Sequence, residues 1–425
     1  MIETNPAPQP SPQPTAEPSQ SRWKDILLLL FALIAILFLA GRGIYLVVTG
    51  VSASGPAASA NQVSDFYGAI SMFFVAVLVS PVLILSLRRL RGQSIRPAKV
   101  PPVKLLMVIG LVILWIVVLG ITYLINTFLP SGWIIAAPFF LLGIAIPVAA
   151  LVWIAIGGLP TGSWRRLWTA LGMGMTISTT IAIGLELLFA ALGLAAAGII
   201  ASIDPALRTT LEQLRNQIQG ANNAQDLLPI ITPYLDNPWL ILVILLFVSG
   251  IGPLIEEAFK PLAVWLVGKH LRSPAEGFAL GALCGAGFAL LEGMLVSSGA
   301  TDMVGFSVAA RATSSLMHIT ASAFMGWAIA SAILEKRYLR LFLTYLLSVG
   351  IHSLWNAAVV FTVYGGLRLS NPGSRLDLLG GLSVTAGIGL LVILVVGILV
   401  SLPVINRRLR SAPRAQNDII APNLS

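Results

Sequence analysis

Cysteine is all but missing from this chain. Cys284 is the only one in 425 residues, so no intrachain disulfide framework can form. It sits inside an apolar run and reads as a buried free thiol. Charge is scarce as well. Asp, Glu, Lys and Arg make up 10% of the chain, against about 25% in a soluble domain, which excludes an ordinary water-soluble fold. Histidine occurs three times. No Ser/His/Asp arrangement is discernible, and Cys284 has no adjacent histidine, so neither a serine triad nor a cysteine nucleophile competes for the chemistry. Acidic residues number 17 against 26 basic ones. That surplus does not indicate a nucleic-acid partner, because the basic residues are spread over membrane-flanking loops.

What is abundant is apolar. Hydrophobic residues make up 57% of the chain and the mean hydropathy is +0.90. They fall in runs of about twenty, the length of a membrane span. Ten spans are expected, at about 24–48, 67–87, 105–128, 133–157, 167–199, 239–267, 276–297, 307–333, 339–364 and 378–404. Nineteen basic residues fall in loops on one side of this arrangement, four on the other, and Arg42, Lys260 and Arg311 within spans. The alternation supports the span count and puts both termini in the cytoplasm. The expected fold is an all-α polytopic transmembrane helical bundle.

The chain divides accordingly. A Pro/Gln/Ser-rich tail at 1–21 reads as disordered and lacks the basic start and cleavage site of a signal peptide. Helices at 22–200 precede a long extracytoplasmic loop at 201–238. There Asp204-Pro205 opens an amphipathic helix with Leu207, Leu211, Leu214 and Ile218 on one face, ending at Gly220. Polar intramembrane residues then concentrate in 239–364; a last span at 365–410 and a tail at 411–425 follow.

That polar set is expensive. A carboxylate at mid-bilayer costs about 2.5–3.5 kcal/mol on insertion scales. Gly252 to Val267, GPLIEEAFKPLAVWLV, carries Glu256, Glu257 and Lys260. Adjacent residues on a helix point about 100° apart, so one carboxylate is expected to pair with Lys260 and the other to face a wet cavity. Pro253 and Pro261 flank the pair and should kink or widen the helix, admitting water. Glu292 lies one turn after Phe288. Arg311, Ser315, His318 and Ser322 share one helical face, and Ser348, His352 and Asn356 share another. Gly277, Gly281 and Gly285, spaced by four, allow close helix approach. Glu186, near the outer end of the fifth span, is expected to play a structural role beside an arginine. Four consecutive spans placing costly groups at similar depth point to a site where a carboxylate activates water and a neutral His and an Asn stabilise an oxyanion.

Glu-Glu-x-x-Lys, Phe-x-x-x-Glu, an isolated His and His-x-x-x-Asn, on consecutive spans from Gly252 to Ala358, resemble the PrsW family of intramembrane proteases. That family is related to the CAAX prenyl endoproteases and bacteriocin-processing enzymes. The CAAX branch would carry Glu-Glu-x-x-x-Arg and Phe-x-x-x-His, where this chain has Lys260 and Glu292. The resemblance implies hydrolysis of peptide bonds in membrane-anchored substrates, such as anti-sigma factors, at a bacterial plasma membrane. It implies Glu256 as the base, Glu257 as a second essential carboxylate, and His352 with Asn356 as the groups polarising the scissile carbonyl. Glu292 and His318 join the catalytic set, with Lys260 and Phe288 supporting it.

Metal dependence stays open at this level. His318 and His352 with Glu256, Glu257 or Glu292 could form a two-His-one-carboxylate zinc site. No His-x-x-x-His helix is present, and a metal-free glutamate mechanism needs no cofactor. Two other functions fit the polar set less well. A proton- or ion-coupled transporter should show an internal repeat, which is not visible. A noncatalytic scaffold would not need Glu256, Glu257, Glu292, His352 and Asn356 together. The lipid bilayer is the one further partner implied, and no oligomeric state follows.

Overall fold

The computed structural model describes residues 22–53, 58–129, 133–220, 229–230, 232–299, 304–370 and 377–411. The tails at 1–21 and 412–425, and part of the long loop after the fifth span, lie outside the described residues.

Among the described residues, ten helices are long and apolar enough to cross a membrane, with no strand. In hydrocarbon a backbone must satisfy its own hydrogen bonds, and long apolar runs do so as helices. They are Arg22–Ser52, Asn61–Leu90, Leu105–Phe128, Trp133–Ile156, Trp164–Ile200, Pro238–His270, Pro274–Gly299, Val304–Glu335, Tyr338–Leu369 and Leu378–Ser411, here called spans one to ten. Each falls on an expected run. In the long loop a helix covers Pro205–Gly220. Its Leu214 is partly buried and its Ile218 exposed.

Spans seven and eight form the centre, each 83% buried along its apolar stretch. Small residues put them there. A Cβ on Gly281 would run into the Ser322 carbonyl, one on Gly277 into that of Gly326, and one on Gly285 into that of His318. On its other side span seven meets span five as closely: Gly174 faces the Cys284 carbonyl and Gly287 that of Leu171. Cys284 is a buried free thiol. Span seven is thus held between two backbones, which fixes the depth of the residues it carries.

Two spans are irregular. Span five contains a π-helical turn at Gly174–Ser178, against span seven. Span six is broken into Pro238–Ile244, a π-helical stretch Leu245–Ile251, then Gly252–Phe259 and Leu262–Val267. The last two breaks of span six follow from proline, which has no N–H to donate and clashes with the preceding turn. Pro253 ends the widened stretch and Pro261 ends the segment bearing Glu256 and Glu257.

Buried ion pairs tie span ends together. Asp25 meets Arg165 at 2.6 Å and Arg89 at 3.2 Å. Arg166 meets Glu276 at 2.6 Å. These link spans one, two and five to the start of span seven. At the opposite end Arg368 pairs with Asp236 and Asp377.

Candidate active site

Spans six to nine deliver their polar side chains to one point. Lys260 is fully buried and lies at its centre. Its Nζ is 2.8 Å from Glu256 Oε2, 2.7 Å from Glu257 Oε1 and 2.7 Å from His318 Nδ1. The expected division between a paired and an unpaired carboxylate is therefore not what forms. Both pair with the same ammonium. Lysine at i+4 from one and i+3 from the other sits between them one turn on, and its long stem lets Nζ reach the gap. Phe288 covers the ammonium from span seven, with Nζ 4.5 Å from the ring centroid; the ring quadrupole favours that cation.

Each histidine is held by a carboxylate on one ring nitrogen and turns the other inward. His352 Nδ1 is 2.9 Å from Glu257 Oε1, and its Nε2 is 3.9 Å from Glu256 Oε2. His318 Nε2 is 3.0 Å from Glu292 Oε2, and its Nδ1 faces Lys260. The partners assign the tautomers: Nδ1–H on His352 and Nε2–H on His318 donate to carboxylates, and both remaining lone pairs point at the centre. Glu292 also pairs with Arg311. Its side chain, 28% exposed, is the most accessible of the group, against 0% for Glu257 and 12% for Glu256.

Asn356 is placed differently from the other predicted residues. Its Nδ2 donates to the Val248 carbonyl at 2.8 Å. In the π-helical stretch the N–H that would meet this carbonyl belongs to residue i+5, which is Pro253 and has none. Asn356 supplies the missing donor, and Tyr345 similarly donates to the Leu254 carbonyl at 2.7 Å. His352, for its part, has committed its N–H to Glu257. The expected pair of oxyanion donors is not free in this arrangement. Asn356→Leu should leave a carbonyl unpaired and cost about 1–3 kcal/mol, read as a lowered unfolding temperature of the purified protein.

One member of the cluster went unanticipated. Glu186 of span five does not meet an arginine; its carboxyl lies within hydrogen-bonding reach of Glu256. Its Oε1 is buried without a partner and would stand 3.8 Å from a Cβ on Gly252. Two carboxyl groups in contact need a proton or a cation between them. The only sequence signal was an acidic residue in an apolar run, 167–199, otherwise free of charge, and no spacing could link it to a partner seventy residues on.

Residues 230–404 match the family described as PrsW family intramembrane metalloproteases. Over that region the chain is similar to the PrsW family. No curated protein and no solved structure matches it. The match supports a membrane protease and covers spans six to nine and most of span ten. Spans one to five, with Glu186, precede the PrsW region.

The PrsW description names a metal, and the donors here suit one. Glu256, His318 and His352 offer ligand atoms within 4.8 Å of one another. Glu257 and Glu292 hold the far nitrogens of the two histidines, as carboxylates do around protein-bound zinc. Charge agrees: Glu186, Glu256, Glu257 and Glu292 face only Lys260 and Arg311, which leaves two negative charges for protons or a dication to balance. A bound ion and the Lys260 ammonium would compete for the inward nitrogen of His318.

Proposed function

We propose that this protein is an intramembrane endopeptidase that hydrolyses membrane-anchored proteins, with Glu256 as the group that takes the proton from water. The observation that carries the reading is the inward-facing pair of Glu256 Oε2 and His352 Nε2, 3.9 Å apart, a gap one water can bridge. Glu256 accepts the proton as the water oxygen attacks the scissile carbonyl, and returns it to the leaving amine. The Lys260 ammonium, with all three N–H groups held by Glu256, Glu257 and His318, supplies positive charge beside the developing oxyanion. Glu257 positions His352, Glu292 positions His318, and Phe288 screens Lys260.

When bound to Glu256, His318 and His352, a zinc ion would supply Lewis-acid polarisation and a more acidic water. The roles of Glu257 and Glu292 in holding the two imidazoles are the same either way. A bacterial plasma membrane with both termini in the cytoplasm, and a regulator such as an anti-sigma factor as substrate, fit the basic-loop asymmetry and the PrsW resemblance.

The test is cleavage in proteoliposomes, using a panel of tagged single-span proteins with and without a zinc chelator. Cleavage that survives chelation supports the glutamate mechanism without an ion. Cleavage lost on chelation and restored by zinc supports a metal mechanism, with Glu256, His318 and His352 as the ligands and Glu256 no longer the free base. No cleavage, together with Glu256-dependent proton uptake, would replace the protease with the transporter.

A further inference from the structure

A second polar feature lies at the turn between spans eight and nine, away from the catalytic cluster. Glu335 ends span eight and Tyr338 begins span nine, so two residues make the connection. Lys336, the first, has φ +60°. This left-handed conformation normally falls to Gly or Asn, and strain of order 1–3 kcal/mol attends other residues there. Gly would form this turn without strain. A lysine in its place implies a use for the side chain.

The surroundings indicate that use. A cavity of about 670 Å³ opens here, lined by Lys336, Arg337 and Arg340 together with Trp327. Arg340 is fixed in position. Its guanidinium lies 4.6 Å from the Trp327 ring centroid, and Nη1 donates to Ser331 Oγ at 2.9 Å and Glu335 Oε2 at 3.1 Å. Arg337 also reaches Glu335, at 3.1 Å. One carboxylate thus serves two guanidinium groups. The Lys336 side chain has no ion pair or hydrogen bond among the described residues. Three cations against one anion leave the cavity strongly electropositive.

Beneath the cations runs an apolar stripe. Leu339, Leu343 and Leu347 line the same cavity at four-residue spacing, and are 70%, 55% and 53% exposed. The stripe leads from the basic turn along span nine towards the hydrocarbon. An aromatic residue at each side, Trp327 and Tyr338, matches side chains that settle at headgroup level.

We propose that this cavity is a binding site for an anionic glycerophospholipid. Its headgroup phosphate is held by Lys336, Arg337 and Arg340, and one acyl chain lies along Leu339, Leu343 and Leu347. Charge complementarity selects an anionic over a zwitterionic headgroup. The leucine stripe selects a lipid over a soluble anion. Basic pockets between transmembrane helices bind acidic headgroups in this manner.

The experiment is native mass spectrometry of the full-length protein, released from nanodiscs containing equal phosphatidylglycerol and phosphatidylcholine. Wild type should retain phosphatidylglycerol selectively and saturably. Each basic residue near a membrane surface contributes about fivefold, so Lys336→Gln with Arg337→Gln should weaken retention by about 30-fold. Both side chains are exposed, and an unchanged melting temperature will show that the fold survives. Arg407→Gln with Arg408→Gln, which removes two cations from the end of span ten, should leave retention unchanged. Equal retention of both lipids would overturn the proposal. So would undiminished phosphatidylglycerol binding in the Lys336/Arg337 variant, or an equal loss in the Arg407/Arg408 control. Full displacement by millimolar inorganic phosphate would reduce the cavity to a soluble-anion site and likewise overturn it.

Discussion

Glu256→Gln is expected to reduce substrate cleavage by about 10²–10⁴-fold, the usual contribution of a positioned base, while leaving the protein folded. The substitution keeps the shape of the side chain and its hydrogen-bonding capacity, but an amide cannot take a proton from water. The fold survives because Lys260 retains Glu257 at 2.7 Å and the far side of Glu256 is met by another acid, Glu186. Replacing one of two touching carboxyls with an amide removes a repulsion as well as a charge. The measurement is initial cleavage rate in proteoliposomes, beside a melting curve of the same preparation. Wild-type rates from the Gln variant would remove Glu256 from the mechanism.

Lys260→Met should have the larger effect on stability. Lys260 is 0% exposed and its single ammonium serves Glu256, Glu257 and His318. Methionine fills similar volume and lies well against Phe288, so packing is nearly preserved. What is lost is the charge that keeps two adjacent carboxylates in a buried site. Breaking a buried pair by removing one partner costs about 3–5 kcal/mol, because the other charge is left uncompensated. The expected outcome is a protein that unfolds at a markedly lower temperature in detergent. The double substitution with Glu257→Gln should recover part of the loss, since the stranded charge is then gone as well. Additive losses in the double variant would show that Lys260 does not act by compensating the charge of Glu257.

A bound zinc ion and the Lys260 ammonium would make the same demand on this centre. Both are cations, and both would be drawn to Glu256 and to the inward lone pair of His318. The surplus of carboxylates over fixed cations makes room for more positive charge than Lys260 alone provides. Glu186 enlarges that surplus, and it reaches the centre from a span before the PrsW region. The acidic cluster therefore extends beyond the matched region, 230–404.

Much of this was legible in the chain itself. The ten spans follow from apolar run length, because a membrane leaves the backbone no alternative to helices. The four polar spans were visible because an intramembrane charge stands out against hydrocarbon. Gly277, Gly281 and Gly285 announced a close crossing by their four-residue spacing. The breaks of span six are where Pro253 and Pro261 put them. All of these are local: period, composition and the missing N–H of proline act within a few residues.

What the tertiary structure decided is how separate helices face each other. Spacing within span six could not show that Lys260 would lie between Glu256 and Glu257, since that depends on His318 and Phe288 enclosing Nζ. Nor could the His-x-x-x-Asn pattern of span nine show that Asn356 would turn to the Val248 carbonyl. That carbonyl lacks a donor only because span six widens there. Glu186 met Glu256 instead of an arginine because the segment Gly252–Phe259 of span six packs against span five, with Gly252 leaving room beside the Glu186 carboxyl. Sequence fixes which groups cannot stay alone in a membrane; only the packing of spans decides which of them meet, because rotation and depth of each helix are set by contacts across large separations in the chain.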